Sequence, residues 1–168
     1  MVLSIKLEVR QVMVNSQGSS FFQSLPPQTS SCNETNPTIM HPAYLETRFI
    51  SREGLDGWPA RFVIITAFAT TGETWTDRQN EAADQSLGAE VRGTGRWMRR
   101  ITGYSPTTQH REPGWAVAMD WEEACDVGMR FLQDAVYVIN GDALAVTYCD
   151  ARRELQPVGN FLERLAPF

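Results

Sequence analysis

The residues of this chain best equipped for chemistry are Thr66, Asn80, Glu112 and Gln133. Glu112 follows His110 by two positions, and in an extended segment those two share a face while Arg111 points away. A carboxylate beside an imidazole can move protons, so Glu112 is the candidate general base. Asn80 and Gln133 are amides at the start and end of expected helices, where each could orient a substrate. Thr66 closes an apolar strand and could add a hydroxyl to the same place. Each also has a plain structural reading. Asn80 would tie down the loop 69–75, Gln133 would satisfy free carbonyls at a helix C-terminus, and Thr66 would be a good strand former. His110 and Glu112 would belong to a solvated loop with Arg111.

A second group is basic. Arg92, Arg96, Arg99 and Arg100 surround Trp97, a combination able to hold a phosphate backbone and stack a base. The net charge of −5 opposes that reading, since a nucleic-acid binder is expected to show a basic face. The arginines are expected to pair with acids such as Asp84 and Glu90 instead, and nucleic acid ranks last among the partners.

Several chemistries have no signature here. Cys32, Cys125 and Cys149 show no C-x-x-C spacing, so neither a disulfide framework nor a zinc site is expected, and a reducing compartment suits them. No Gly-rich phosphate loop, G-x-S-x-G turn or H-E-x-x-H pair occurs. No cofactor and no metal are expected. Apolar runs fall far short of the ~20 residues needed to cross a bilayer, and Met1–Arg10 alternates apolar with polar residues rather than forming a leader. The expected location is the cytoplasm, with no membrane partner.

These side chains must be positioned by the elements between Arg61 and Cys149. Residues 61–68 form a core strand. Thr76-Asp77-Arg78-Gln79 reads as a capping box opening a helix with an Ala83, Leu87, Val91 stripe. Strands follow at 97–102 and 115–119. Asp120 and Glu123 read as a second box, opening a helix with Trp121, Ala124, Gly128 and Phe131 on its inner stripe. Strand 135–139 turns at Asn140-Gly141, a hairpin signal, into 143–149. This order predicts an α+β two-layer sandwich with a ferredoxin-like βαββαβ core and a C-terminal β-hairpin; the alternative is a doubly wound α/β sheet.

Outside that unit, residues 1–14 read as a short strand. Asn15 to Pro42 is rich in Ser, Gln, Asn and Pro and offers little to bury. Residues 1–42 are therefore read as a disordered tail, or residues 1–39 as a start-site artefact with Met40 as the true start. Residues 43–150 make one domain, and 151–168 a tail with a short helix through Phe161, Leu162 and Leu165.

Several stretches resemble a bacterial and phage family known as domain of unknown function 3293. They are Tyr44-Leu45-Glu46-Thr47, Phe62 to Ala67, Asn80, Gly103, Glu112-Pro113 and Phe131 to Ala135, and the resemblance spans about residues 44–148. The chain departs from the family at Phe68-Ala69-Thr70, where Trp-Asn-Pro is usual, and at Leu132, where Gly often precedes the Gln. The resemblance implies no activity. The sequence therefore favours a small ligand- or protein-binding accessory module with a site formed by Thr66, Asn80, Glu112 and Gln133. A hydrolase or transferase acting on a small polar or nucleotide-like substrate is the alternative.

Overall fold

Apolar alternation and cap chemistry set the elements in the order α1 (Pro42–Glu46), β1 (Arg48–Ile50), β2 (Arg61–Thr66), α2 (Asp77–Gly93), β3 (Met98–Tyr104) and β4 (Arg111–Val117). They continue with α3 (Trp121–Arg130), β5 (Ala135–Asn140), β6 (Ala143–Tyr148), β7 (Gln156–Asn160), α4 (Phe161–Arg164) and β8 (Leu165–Ala166). This computed structural model describes residues 40–54, 56–69 and 73–166. The strand read over 1–14, the polar stretch as far as residue 39 and Cys32 lie outside the described residues.

Local signals explain most of the elements. The Thr76 hydroxyl accepts from the Gln79 amide N–H, and the Gln79 side chain accepts from the Thr76 N–H, so the capping box of α2 forms. The box expected at α3 does not form. Asp120 makes no side-chain cap bond, and Glu123 is held by Arg96 at 2.7 Å. Asn140 and Ala143 are partners across the β5–β6 hairpin. Gly141 takes a φ of 63° there, a conformation open to a residue without Cβ.

The architecture differs from the expected sandwich. The sheet has eight strands in the order β7-β6-β5-β2-β4-β3-β1-β8, antiparallel except for the parallel pair β1–β8. Both edge strands come from the segment after residue 150, which was expected to trail from the domain. Only α4, four residues long, separates β7 at one edge from β8 at the other. A flat sheet of eight strands would put its edges roughly 34 Å apart at ~4.8 Å per step, whereas four helical residues advance only about 6 Å. The sheet must therefore curl, and it forms a mixed half-barrel. The two-layer sandwich with a ferredoxin-like core is overturned by this curled sheet. The doubly wound alternative fails too, because α2 and α3 both pack on one apolar cluster.

The curl creates two cores. On the convex side, Leu87 and Val91 of α2 and Ala124, Cys125 and Val127 of α3 cover Val63, Ile65, Val117 and Val136. On the concave side, Phe49, Phe62, Ile64, Ile101, Ile139 and Leu144 meet Phe161 of α4, with Trp58 packed edge-on against Phe62. The alternation along β2 feeds both, Val63 and Ile65 outward to the helices, Phe62 and Ile64 inward. Thr66 is next in the inward series. Arg164 fastens the closing segment by donating to the carbonyls of Leu45 (2.6 Å), Thr47 (3.2 Å) and Val158 (3.3 Å).

Candidate functional site

The concave side is not filled to its end. Beyond Phe49 and Ile64 lies a pocket of about 250 Å³, whose walls include Tyr44, Glu46, Tyr104 and Tyr137. Thr66, His110, Glu112 and Gln133 form its polar end.

Strand register accounts for the meeting of Thr66 and Glu112. Thr66 lies opposite Gly114 on β4. Glu112, two residues along, is therefore its diagonal neighbour on the same face. The Thr66 hydroxyl lies 3.4 Å from Glu112 Oε2. Glu112 in turn lies opposite Gly103 of β3, which leaves space in front of it. The other carboxylate oxygen, Oε1, is 2.9 Å from His110 Nε2.

Gln133 arrives by a different route. Helix α3 ends in a Schellman turn, with the Gln133 N–H donating to Gly128 O at 2.8 Å and the Leu132 N–H to Met129 O at 3.1 Å. That turn needs a left-handed residue just before Gln133, and Leu132 supplies it with a φ of 58°. The Gln133 side chain then donates both amide hydrogens, to Phe68 O at 2.8 Å and Phe131 O at 3.0 Å. Those two acceptors fix which end of the amide is nitrogen. Its Oε1 accepts from the Thr66 hydroxyl at 2.6 Å.

Three of the four predicted site residues thus meet, and Asn80 does not join them. Asn80 Oδ1 accepts from the Ala69 N–H at 2.9 Å. It borders a separate depression with Asp84, Arg100 and Arg111. Its position on α2 puts it with the convex layer, whereas the pocket opens on the concave side. That bond is the loop-tying contact at Ala69.

The basic group also falls apart. Side chains alternate along β3, so Arg99 and Arg100 point to opposite faces. Arg100 makes a bidentate pair with Asp84, both contacts 2.7 Å, and lies 4.6 Å from the Trp115 ring centroid. Arg99 pairs with Glu53 and Arg96 with Glu123. Arg92 lies over the Trp115 ring, 6.0 Å from its centroid. Glu90, expected to pair within this group, is bound by Arg130. These partners leave no shared basic face for a phosphate backbone.

Residue-by-residue reading missed the far wall of the pocket. Tyr137 is half-buried, its loss of solvent pushes its phenol well above the usual tyrosine range, and it donates to Tyr44 O at 2.9 Å. Glu46 accepts from the Ser105 and Thr107 hydroxyls, each at 2.7 Å. Those bonds, Thr107 first, lower its carboxyl below the ordinary value. The one available signal was the Tyr44–Thr47 stretch, which carried the family resemblance but suggested no role. Among the described residues no group of His, Cys, Asp and Glu is arranged to hold a metal, and no helix is long and apolar enough to cross a membrane. Cys125 and Cys149 are both free and buried.

The fold and pocket define a small α/β domain built on one curled sheet, with a candidate binding site at the open end of its concave face. Residues 65–136 match the model of a family described as protein of unknown function (DUF3293), and the resemblance read from the sequence is thereby shown. The match runs from the end of β2 to the start of β5. It contains Thr66, Asn80, Glu112 and Gln133 but not Tyr44, Glu46 or Phe49. Neither a curated protein nor a solved structure matches the chain.

Proposed function

We propose that this protein is a small-molecule binding module whose site is the pocket ended by Thr66, Glu112 and Gln133. The observation that carries the reading is the meeting of three polar side chains, 46 and 67 residues apart from Thr66, at the end of a cavity with apolar walls. A concave, largely apolar pocket with a few convergent polar groups is the usual form of a small-molecule site. A small molecule suits that cavity better than a protein surface does. Two free, buried thiols suit a reducing compartment such as the cytoplasm.

A thermal-shift screen of nucleotides and common metabolites tests the proposal, because a ligand that favours the folded state raises the melting temperature. At least one compound class is expected to raise it in the wild type and to lose that effect in Thr66→Val. A shift that Thr66→Val retains in full would move the site elsewhere. An enzyme reading rests on one contact, His110 Nε2 to Glu112 Oε1 at 2.9 Å, which would let Glu112 act as a general base. In that case His110→Ala would abolish turnover of the bound compound while leaving its affinity nearly intact. Equal turnover in the variant would dismiss the enzyme.

A further inference from the structure

The hydrogen-bonding capacity at the polar end of the pocket is one-sided. A glutamine offers two N–H donors, and both of Gln133's are taken by the carbonyls of Phe68 and Phe131. A threonine has one O–H, and at 2.6 Å it belongs to Gln133 Oε1. That leaves the 3.4 Å approach to Glu112 Oε2 without a proton of its own. His110 Nε2 engages Glu112 Oε1. Tyr137 gives its proton to Tyr44 O, and the Ala69 N–H is held by Asn80. What remains for a visitor is acceptor capacity: Glu112 Oε2, a second lone pair on Gln133 Oε1 and the lone pairs of Thr66 Oγ1.

Charge points the same way. Glu46, Glu112 and Asp134 line the pocket with His41 and His110, and no Lys or Arg is among its described lining residues. Two hydroxyl donors hold the Glu46 carboxyl below its ordinary pKa, and so ionised. The walls add Tyr137, an aromatic ring of the kind whose face attracts cations. At the polar end an anionic ligand would meet the Glu112 carboxylate, with the donors of Thr66 and Gln133 already committed.

We infer that the pocket binds a small organic cation, its ammonium or guanidinium head donating to Glu112, Thr66 and Gln133 and its apolar body lying along Phe49, Ile64 and Tyr137. This inference rests on the pocket being a ligand site and adds the class of ligand. A volume of about 250 Å³ lies just below the ~300–1,000 Å³ of drug-sized sites, which suits an amine of metabolite size.

The test uses three probes that share an apolar body and differ in the head: 2-phenylethylamine, 2-phenylethanol and phenylacetate. Each is titrated at up to millimolar concentration into the full chain, isotope-labelled for backbone-amide NMR. The amine is expected to shift the amides of Thr66, Glu112 and Gln133 and to bind at least about tenfold more tightly than the alcohol, as a charge-assisted bond should. Glu112→Gln should lower the amine's affinity by a similar factor and leave the alcohol's unchanged. Alcohol or phenylacetate binding at these amides as tightly as the amine would overturn the cation while leaving the pocket a ligand site. So would a Glu112→Gln variant that binds the amine normally. If none of the three probes shifts those amides, both the cation and the pocket reading fall. The wild-type comparison needs no variant and decides the matter even if Glu112→Gln does not fold.

Discussion

Two polar clusters sit on opposite faces of the β3–β4 pair, and they are built to opposite ends. On the convex side, Asp84 and Arg100 satisfy one another through two 2.7 Å contacts, with Arg100 stacked on Trp115 and Asp84 buried at 8% exposure. Its charges cancel, and no carboxylate oxygen is left over. On the concave side, Glu112, Thr66 and Gln133 use every donor internally and keep acceptors in reserve beside a cavity. A cluster closed on itself holds the fold together, and one with unmet capacity beside a void is where a ligand can add bonds. Burial alone would have marked Asp84 as the more interesting acid.

Breaking the closed cluster should produce the largest effect. Asp84→Ala leaves Arg100 unpaired against Trp115, and since both side chains keep some exposure the loss should be about 2–3 kcal/mol rather than the larger figure for a fully buried pair. Urea denaturation measures it, and ligand affinity at the concave pocket should not change. Asn80→Ala removes the acceptor of the Ala69 N–H and should cost about 1 kcal/mol. It too should spare the pocket; a Thr66-dependent ligand that Asn80→Ala no longer binds would merge the two sites. Leu132→Gly sharpens the comparison from the other side. Leu132 is 56% exposed at a φ of 58°, so glycine relieves strain and should stabilise by up to about 1 kcal/mol. The turn that delivers Gln133 would keep its geometry, so binding should persist.

Much of the local structure was legible in the sequence, for reasons tied to single residues. Thr76 with Gln79 announced the start of α2, Asn140-Gly141 announced the β5–β6 hairpin, and the apolar run through Phe62–Ile65 announced β2. Thr66, Glu112 and Gln133 could be singled out because polar groups at the ends of apolar elements need partners. The curl could not be read this way. It depends on β7, a strand interrupted by Pro157 and Gly159 whose pairing with β6 is broken between Leu144 and Ala145, and on β8, only two residues long. Neither has a periodicity to detect.

The far wall of the pocket was hidden for the same reason. Tyr44, Glu46 and Phe49 reach it through pairings with segments more than fifty residues away, as Phe49 does with Gly103 and Leu165. Asn80 shows the reverse error. The helical stripe through Ala83, Leu87 and Val91 correctly turned it toward the protein, but toward the convex layer, because period alone does not say which face of a sheet a helix covers. Leu132 is a third case. Its left-handed backbone was not foreseen, and the Schellman turn supplies the physical reason.

The difference between the two clusters comes down to whether Glu112 belongs to the scaffold, and urea denaturation of Glu112→Gln measures that most directly. The near-isosteric amide removes the charge and leaves the shape. Because the folded state gains little from Glu112, its stability should stay within about 0.5 kcal/mol of the wild type, the range of substitutions outside any structural network. A loss of about 2 kcal/mol or more would put Glu112 in the same class as Asp84 and contradict the account.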